Sequence, residues 1–83
     1  MIDKAEQGRL GWQCRRGIKE VEVVLLPYFD KHFNQSSERE QNLFIRLLDC
    51  QDVDMFEWFT YRAEPEDPEL AEIVGIVLGK VAS

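Results

Sequence analysis

The sequence predicts an all-α fold, a small five-helix bundle, from three observations. Apolar residues recur at helical spacing in several stretches. Strict alternation bounded by hairpin turns is almost absent, and no internal repeat or low-complexity tract is visible. Helix-start chemistry stands ahead of the later apolar runs: Ser37 with Glu40, Asp52 or Asp54, and Asp67 with Pro68. With 83 residues, 45% apolar and 31% charged, the chain has ordinary globular composition and room for one domain spanning 1–83.

The first helix is expected from about Asp3 to Arg16, with Leu10 and Cys14 on one face and Trp12 on another. Gly8 and Gly11 weaken it, each by roughly 1 kcal/mol relative to alanine. Gly17 then reads as the residue after the helix, in the left-handed conformation that glycine tolerates. A second helix follows from Ile18 to about Phe33 and carries Val21, Val24, Leu25, Tyr28 and Phe29 inward, with a kink or break at Pro27. Ser37 and Glu40 have capping-box spacing and open a third helix that buries Leu43, Phe44, Leu47 and Leu48 while Arg39, Asn42, Arg46 and Asp49 face out. Asp52 or Asp54 caps a short fourth helix with Met55, Phe56, Trp58 and Phe59, ending near Arg62. The fifth starts at Asp67–Pro68 and bears the stripe Leu70, Ile73, Val74, Val77, Leu78 and Val81.

The formal charge of −6 is unevenly distributed. Residues 1–19 hold five basic and two acidic side chains, a local +3, so the remainder is −9. From Asp49 to Glu72 there are nine acids and one arginine, Arg62. An acidic total argues against a general nucleic-acid binder, which needs a basic face. No run approaches the ~20 apolar residues that span a bilayer, so no membrane insertion is expected. Cys14 and Cys50 lack a CxxC spacing and no signal peptide precedes them, which fits two reduced thiols in a cytoplasmic protein.

Catalytic chemistry finds little support. His32 is the sole histidine, no nucleophile motif surrounds Ser36, Ser37 or either cysteine, and a surface or loop position is its simplest reading. Metal-ligand spacing and glycine-rich phosphate loops are absent. The chain therefore reads as a non-enzyme. Ala71, Gly75 and Gly79 form a small-residue line on the fifth helix, most simply used for close packing against another helix, alternatively as a shallow groove for a partner. Arg15, Arg16, Gly17 and Glu20 are left over. Glu20 in the first turn of the second helix suits the dipole and can pair with Arg16 across the turn. A surface pair contributes only about 0–1 kcal/mol and leaves the second arginine unexplained. The arginine fork also suits protein docking, so structural and docking roles stand level on these residues alone.

At this corner the sequence resembles a known family. "RRGIKEVEVVLLPYFDKHF" (Arg15–Phe33) resembles the RGxxE region, apolar helix and Pro-aromatic-aromatic-acid signature of the succinate dehydrogenase flavinylation and assembly factors. "FIRLLDCQDVDMFEWF" (Phe44–Phe59) is similar to that family's second stretch, with its aromatic-led LL, D-x-D and F-x-W. The resemblance spans roughly Arg9 to Phe59 and implies a five-helix bundle.

It also implies a function: binding the flavoprotein subunit of succinate dehydrogenase, or of fumarate reductase in bacteria, and promoting covalent attachment of FAD to a histidine there. No cofactor would be stably bound by this chain, and His32 would not be the acceptor. By the same resemblance Arg16, Gly17 and Glu20 match the motif and form the expected contact surface, with Arg15 and Arg9 as neighbouring contacts. Trp12 matches an aromatic position of the family's first helix. The helper would hold a mobile domain of its partner in the state where histidine and flavin meet. Bacterial members have also been described as antitoxins of a small membrane protein that perturbs cell division and cytoskeletal filaments, which is the alternative reading.

Overall fold

The structure, a computed structural model, describes residues 3–82. Its elements are α1 (Lys4–Gln13), α2 (Lys19–Lys31), a 3-10 turn (Phe33–Gln35), α3 (Glu38–Leu48), α4 (Asp52–Phe59) and α5 (Pro68–Ala82). The all-α, five-helix expectation holds, and no strand occurs among the described residues. α2 is the shared element, packed against α4, α5 and the 3-10 turn, while α3 packs on α5 and α1 leans on α3.

The spacing of α2 explains its position. Val21, Leu25 and Tyr28 fall four and three residues apart, so they form one stripe, and all are fully buried. α3 answers with Leu43, Phe44, Leu47 and Leu48, α4 with Met55 and Phe59, α5 with Ile73, Val74 and Val77, and the first helix region with Leu10 and Cys14. Phe44 is the aromatic hub, its ring centroid 5.0 Å from that of Tyr28 and 5.6 Å from that of Phe33. The Tyr28 hydroxyl reaches the Ser36 hydroxyl at 3.0 Å, which gives the one buried phenol a polar partner.

Local chemistry sets the helix starts. Asp3 accepts the Glu6 amide at 2.7 Å, Ser37 the Glu40 amide at 3.2 Å, and Asp67 the Glu69 amide at 2.9 Å. α4 differs from expectation: Gln51 occupies its cap position without a side-chain bond, and Asp52 is the first helical residue. α2 also runs through Pro27 where a kink or break is expected. The carbonyl that proline deprives of a donor belongs to Val23, an exposed residue on the solvent side, where water can take it.

The largest correction concerns the first corner. α1 ends at Gln13, with Cys14 still in the right-handed region, and residues 15–18 are non-helical up to Ile18 in an extended conformation. Because the reversal is spread over several residues, none of them needs the left-handed region, and Gly17 has no positive φ. That conformation belongs instead to Tyr61, with φ 62°, at the end of α4. Around it the amides of Arg62 and Ala63 both donate to the Glu57 carbonyl, at 2.8 and 3.2 Å, closing the helix as a glycine would.

Across the α3–α5 contact, the Arg46 guanidinium donates to Asp67 at 2.6 Å and to Glu69, while Arg39 forks onto Glu72 with one bond at 3.0 Å. These guanidiniums hold the Asp67 and Glu72 carboxyls below their ordinary values of 3.8 and 4.5. A carboxyl depressed in the folded state contributes stability above its unfolded value and loses it as pH falls through the folded one. Thermal melts should therefore show a loss of stability that begins near pH 4.5 and grows below 3.8, and Arg39→Gln with Arg46→Gln should shrink that acid loss.

Tyr61→Gly should stabilise the chain by about 0.5–1 kcal/mol, because relief of a left-handed L-residue exceeds the entropy glycine adds to the unfolded state. Chemical denaturation of the two proteins tests this. Burial pushes the Cys14 thiol up to about 12, whereas Cys50 is only half-buried. Alkylation of the native protein read by mass spectrometry should label Cys50 first and Cys14 only on unfolding.

Candidate partner-docking site

The stretch between α1 and α2 alternates in exposure. Arg15 is exposed, Arg16 half-buried, Gly17 exposed and Ile18 half-buried against the core. Of these residues Ile18 is extended, with φ −105° and ψ 115°, and the chain bends at Gly17. The alternation separates the two arginines that the sequence leaves adjacent.

Arg16 turns inward, with only 16% of its side chain exposed. Its Nη1 donates to Oδ1 of Asp52 at 3.2 Å, and its Nη2 donates to the Leu48 carbonyl. Leu48 is the last residue of α3 and Asp52 the first of α4. The guanidinium thus lies at the negative end of one helix dipole, and its carboxylate partner at the positive end of the next. The expected pairing of Arg16 with Glu20 across its own turn is replaced by this reach to the opposite corner. Buried Nε of Arg16 has no hydrogen-bond partner among the described residues.

Arg15 turns outward and lies over Trp12, its guanidinium carbon 5.8 Å from the ring centroid. Trp12 is 73% exposed, an unusual position for the largest apolar side chain in a chain of this size. Gly17 is exposed, and a Cβ placed there would meet nothing within 4 Å. Glu20, in the first turn of α2, is exposed and makes no ion pair among the described residues. Arg9 is bonded on α1 to both carboxylate oxygens of Glu6, at 2.8 and 2.7 Å. The structure therefore places Trp12, Arg15, Gly17 and Glu20 on the outside of one corner, Arg16 behind it, and Arg9 engaged on the flanking helix.

Asp52 is the residue the sequence reading misses, since it serves there only as a cap. The signal was the acid of the D-x-D stretch, but nothing in linear order ties it to an arginine 36 residues earlier.

Other sites offer less. The small-residue line of α5 does not pack closely against a neighbouring helix: a Cβ at Gly75 or Gly79 would meet nothing within 4 Å. Ala71 and Gly75 instead form one wall of an open groove of about 490 Å³ opposite Trp58, Tyr61 and Pro65. Ser36 bonds the carbonyl of His32 at 2.8 Å and not its ring, so the two do not form a nucleophile and base. Among the described residues, no group of three or more His, Cys, Asp or Glu side chains is gathered to hold a metal ion, and no helix is long and apolar enough to cross a membrane.

Comparison with known proteins gives a consistent result over nearly the whole chain. Residues 8–80 match the family described as "Flavinator of succinate dehydrogenase". A Pseudomonas putida protein named FAD assembly factor SdhE is 43% identical over 81 residues, 98% of this chain and 96% of its own length. Proteins of the same name from Yersinia pestis and Photorhabdus laumondii are 38% identical over 71 residues and 36% over 76. Those alignments cover 86% and 92% of this chain, and 81% and 86% of the relatives. The matched region includes α2, α3 and α4 in full, most of α1 and α5, and the whole Trp12–Glu20 corner, and the chain belongs to the family of flavinators of succinate dehydrogenase.

Proposed function

We propose that this chain is a cytoplasmic assembly factor that docks on the flavoprotein subunit of succinate dehydrogenase, and on that of fumarate reductase where one is present, and promotes covalent attachment of FAD there. The observation that carries the reading is the family match over residues 8–80 together with relatives named for FAD assembly. The chain itself is no catalyst in this reading and binds no cofactor stably; the flavin and its acceptor histidine belong to the partner.

The contact surface is the outer side of the α1–α2 corner. Trp12 and Arg15 supply an exposed aromatic–cation pair of the kind enriched in binding hot spots. Glu20 adds a carboxylate of opposite sign, and Gly17 lets a partner's backbone approach closely. Arg9 flanks the surface as a secondary contact. Docking stabilises one conformation of the flavoprotein by differential binding, so that histidine and flavin are held in reacting geometry more of the time. The proposed chemistry needs only binding from this chain.

The test is covalent flavin fluorescence of the succinate dehydrogenase flavoprotein subunit on a denaturing gel, from cells with and without this protein. The band should disappear without it, at equal subunit level, and return with the wild-type chain but not with Gly17→Arg. Gly17 has no positive φ and open space around it, so this variant keeps its fold and acts by covering the corner. Trp12→Ala should weaken binding to the purified subunit by about 1–2 kcal/mol with little change in melting temperature. An unchanged flavin band overturns the reading.

A further inference from the structure

We infer that Asp52 is the positioning residue of the docking corner, and that Arg16 serves the corner from inside by locking to Asp52 and Leu48 instead of contacting the partner. This rests on the docking surface proposed above, and it assigns a role to a residue outside the RGxxE stretch.

Three observations lead to it. Arg16 directs two of its nitrogens into the fold, onto Asp52 and the Leu48 carbonyl, and a third, Nε, is buried. A guanidinium so enclosed has little surface left to offer. Backbone hydrogen bonds hold only the ends of residues 15–18, from the Arg15 amide to the Trp12 carbonyl at 3.1 Å and from the Val21 and Glu22 amides to the Ile18 carbonyl at 3.1 and 3.2 Å, and among the described residues none involves Arg16 or Gly17 between them. Two inward anchors remain, the Arg16 fork and the Ile18 side chain against the core. Arg16 and Ile18 lie inward and Arg15 and Gly17 outward, so the inward hold on Arg16 sets which way its two neighbours face. Finally, Asp52 sits at the start of α4, where the helix dipole favours a carboxylate, and it is itself only one-third exposed, with a relative side-chain exposure of 33%. The lock joins the two sequence stretches that carry the family resemblance, one on each side of the ion pair.

Removing Asp52 leaves Arg16 enclosed without its counter-charge, which favours its escape to solvent and releases the corner. Asp54, an exposed acid two residues on with no ion pair among the described residues, is the control. The experiment compares wild type, Asp52→Asn, Asp52→Glu and Asp54→Asn in three measurements: thermal melts, backbone amide NMR of the free chain, and binding to the purified succinate dehydrogenase flavoprotein subunit. Asp52→Asn should shift the amides of Arg15 and Gly17 while leaving those of Phe44 and Val77 in place. It should weaken binding about tenfold or more, with Asp52→Glu recovering most of the loss and Asp54→Asn close to wild type.

A double-mutant cycle adds a second reading. Arg16→Gln and Asp52→Asn together should bind no worse than either alone, because both break one lock. Unmoved amides at Arg15 and Gly17, or Asp52→Asn binding within about twofold of wild type, overturns the inference. If Asp52→Asn does not fold, Arg16→Lys replaces it: lysine keeps the charge but lacks the fork, and wild-type binding by that variant overturns the inference equally. Failure of the wild-type chain to bind the subunit would instead remove the assembly-factor reading, while the amide shifts would still decide the positioning role.

Discussion

Burial of α2 along Val21, Leu25 and Tyr28 is the constraint on which the other elements depend. A chain of 83 residues has a high ratio of surface to volume, so one apolar stripe has to serve several neighbours at once. α2 does this by touching α4, α5 and the 3-10 turn together. α3 then closes the core from α5, and Phe44 on it meets the Tyr28 and Phe33 rings. The arrangement also bears on where the α1–α2 corner lies, because the chain that enters α2 has to come from α1 outside the stripe. Trp12, Arg15 and Glu20 are exposed as a result of how α2 is covered.

Charge is organised around this core in two ways. Between α3 and α5, arginines on one helix neutralise acids on the other, so part of the acidic −9 region is consumed in holding helices together. Individually such exposed pairs are weak, and their value lies in the shared Arg46 fork and in the register it imposes. At the first corner the logic is inverted. Arg16 is neutralised by Asp52 within the fold, whereas Arg15 keeps its charge in solvent beside an exposed tryptophan. Two adjacent arginines therefore answer to two different demands, one internal and one external.

Much of the candidate site was named from linear order, and what linear order left out has physical causes. The RGxxE residues and Trp12 were singled out by the family resemblance; Trp12, Arg15, Gly17 and Glu20 are exposed, and Arg16 is half-buried. The conformation of Gly17 was misjudged because glycine after a helix usually takes the left-handed state, and here a longer reversal removes the need for it. Tyr61 went unnoticed for the complementary reason: an L-residue at positive φ has no sequence signal, since propensity argues against it and only the geometry of the α4 end imposes it. At Pro27 a kink or a break was expected because the local penalty is real, and no break occurs: the buried stripe on both sides keeps the helix continuous.

The sequence by itself determined what depends on neighbours within a turn or two: helix type, the caps at Ser37 and Asp67, the buried stripes of α2, α3 and α5, and the acidic and basic halves of the chain. Apolar spacing and capping chemistry act over three or four residues, so they are visible in a string of letters. Tertiary structure alone decided what depends on distance through space: that Arg16 belongs to Asp52 and the end of α3, that Arg46 and Arg39 hold α5, and that the small-residue line of α5 stays open. A long arginine can reach several carboxylates of similar local quality, and which one it meets is set by how the helices pack.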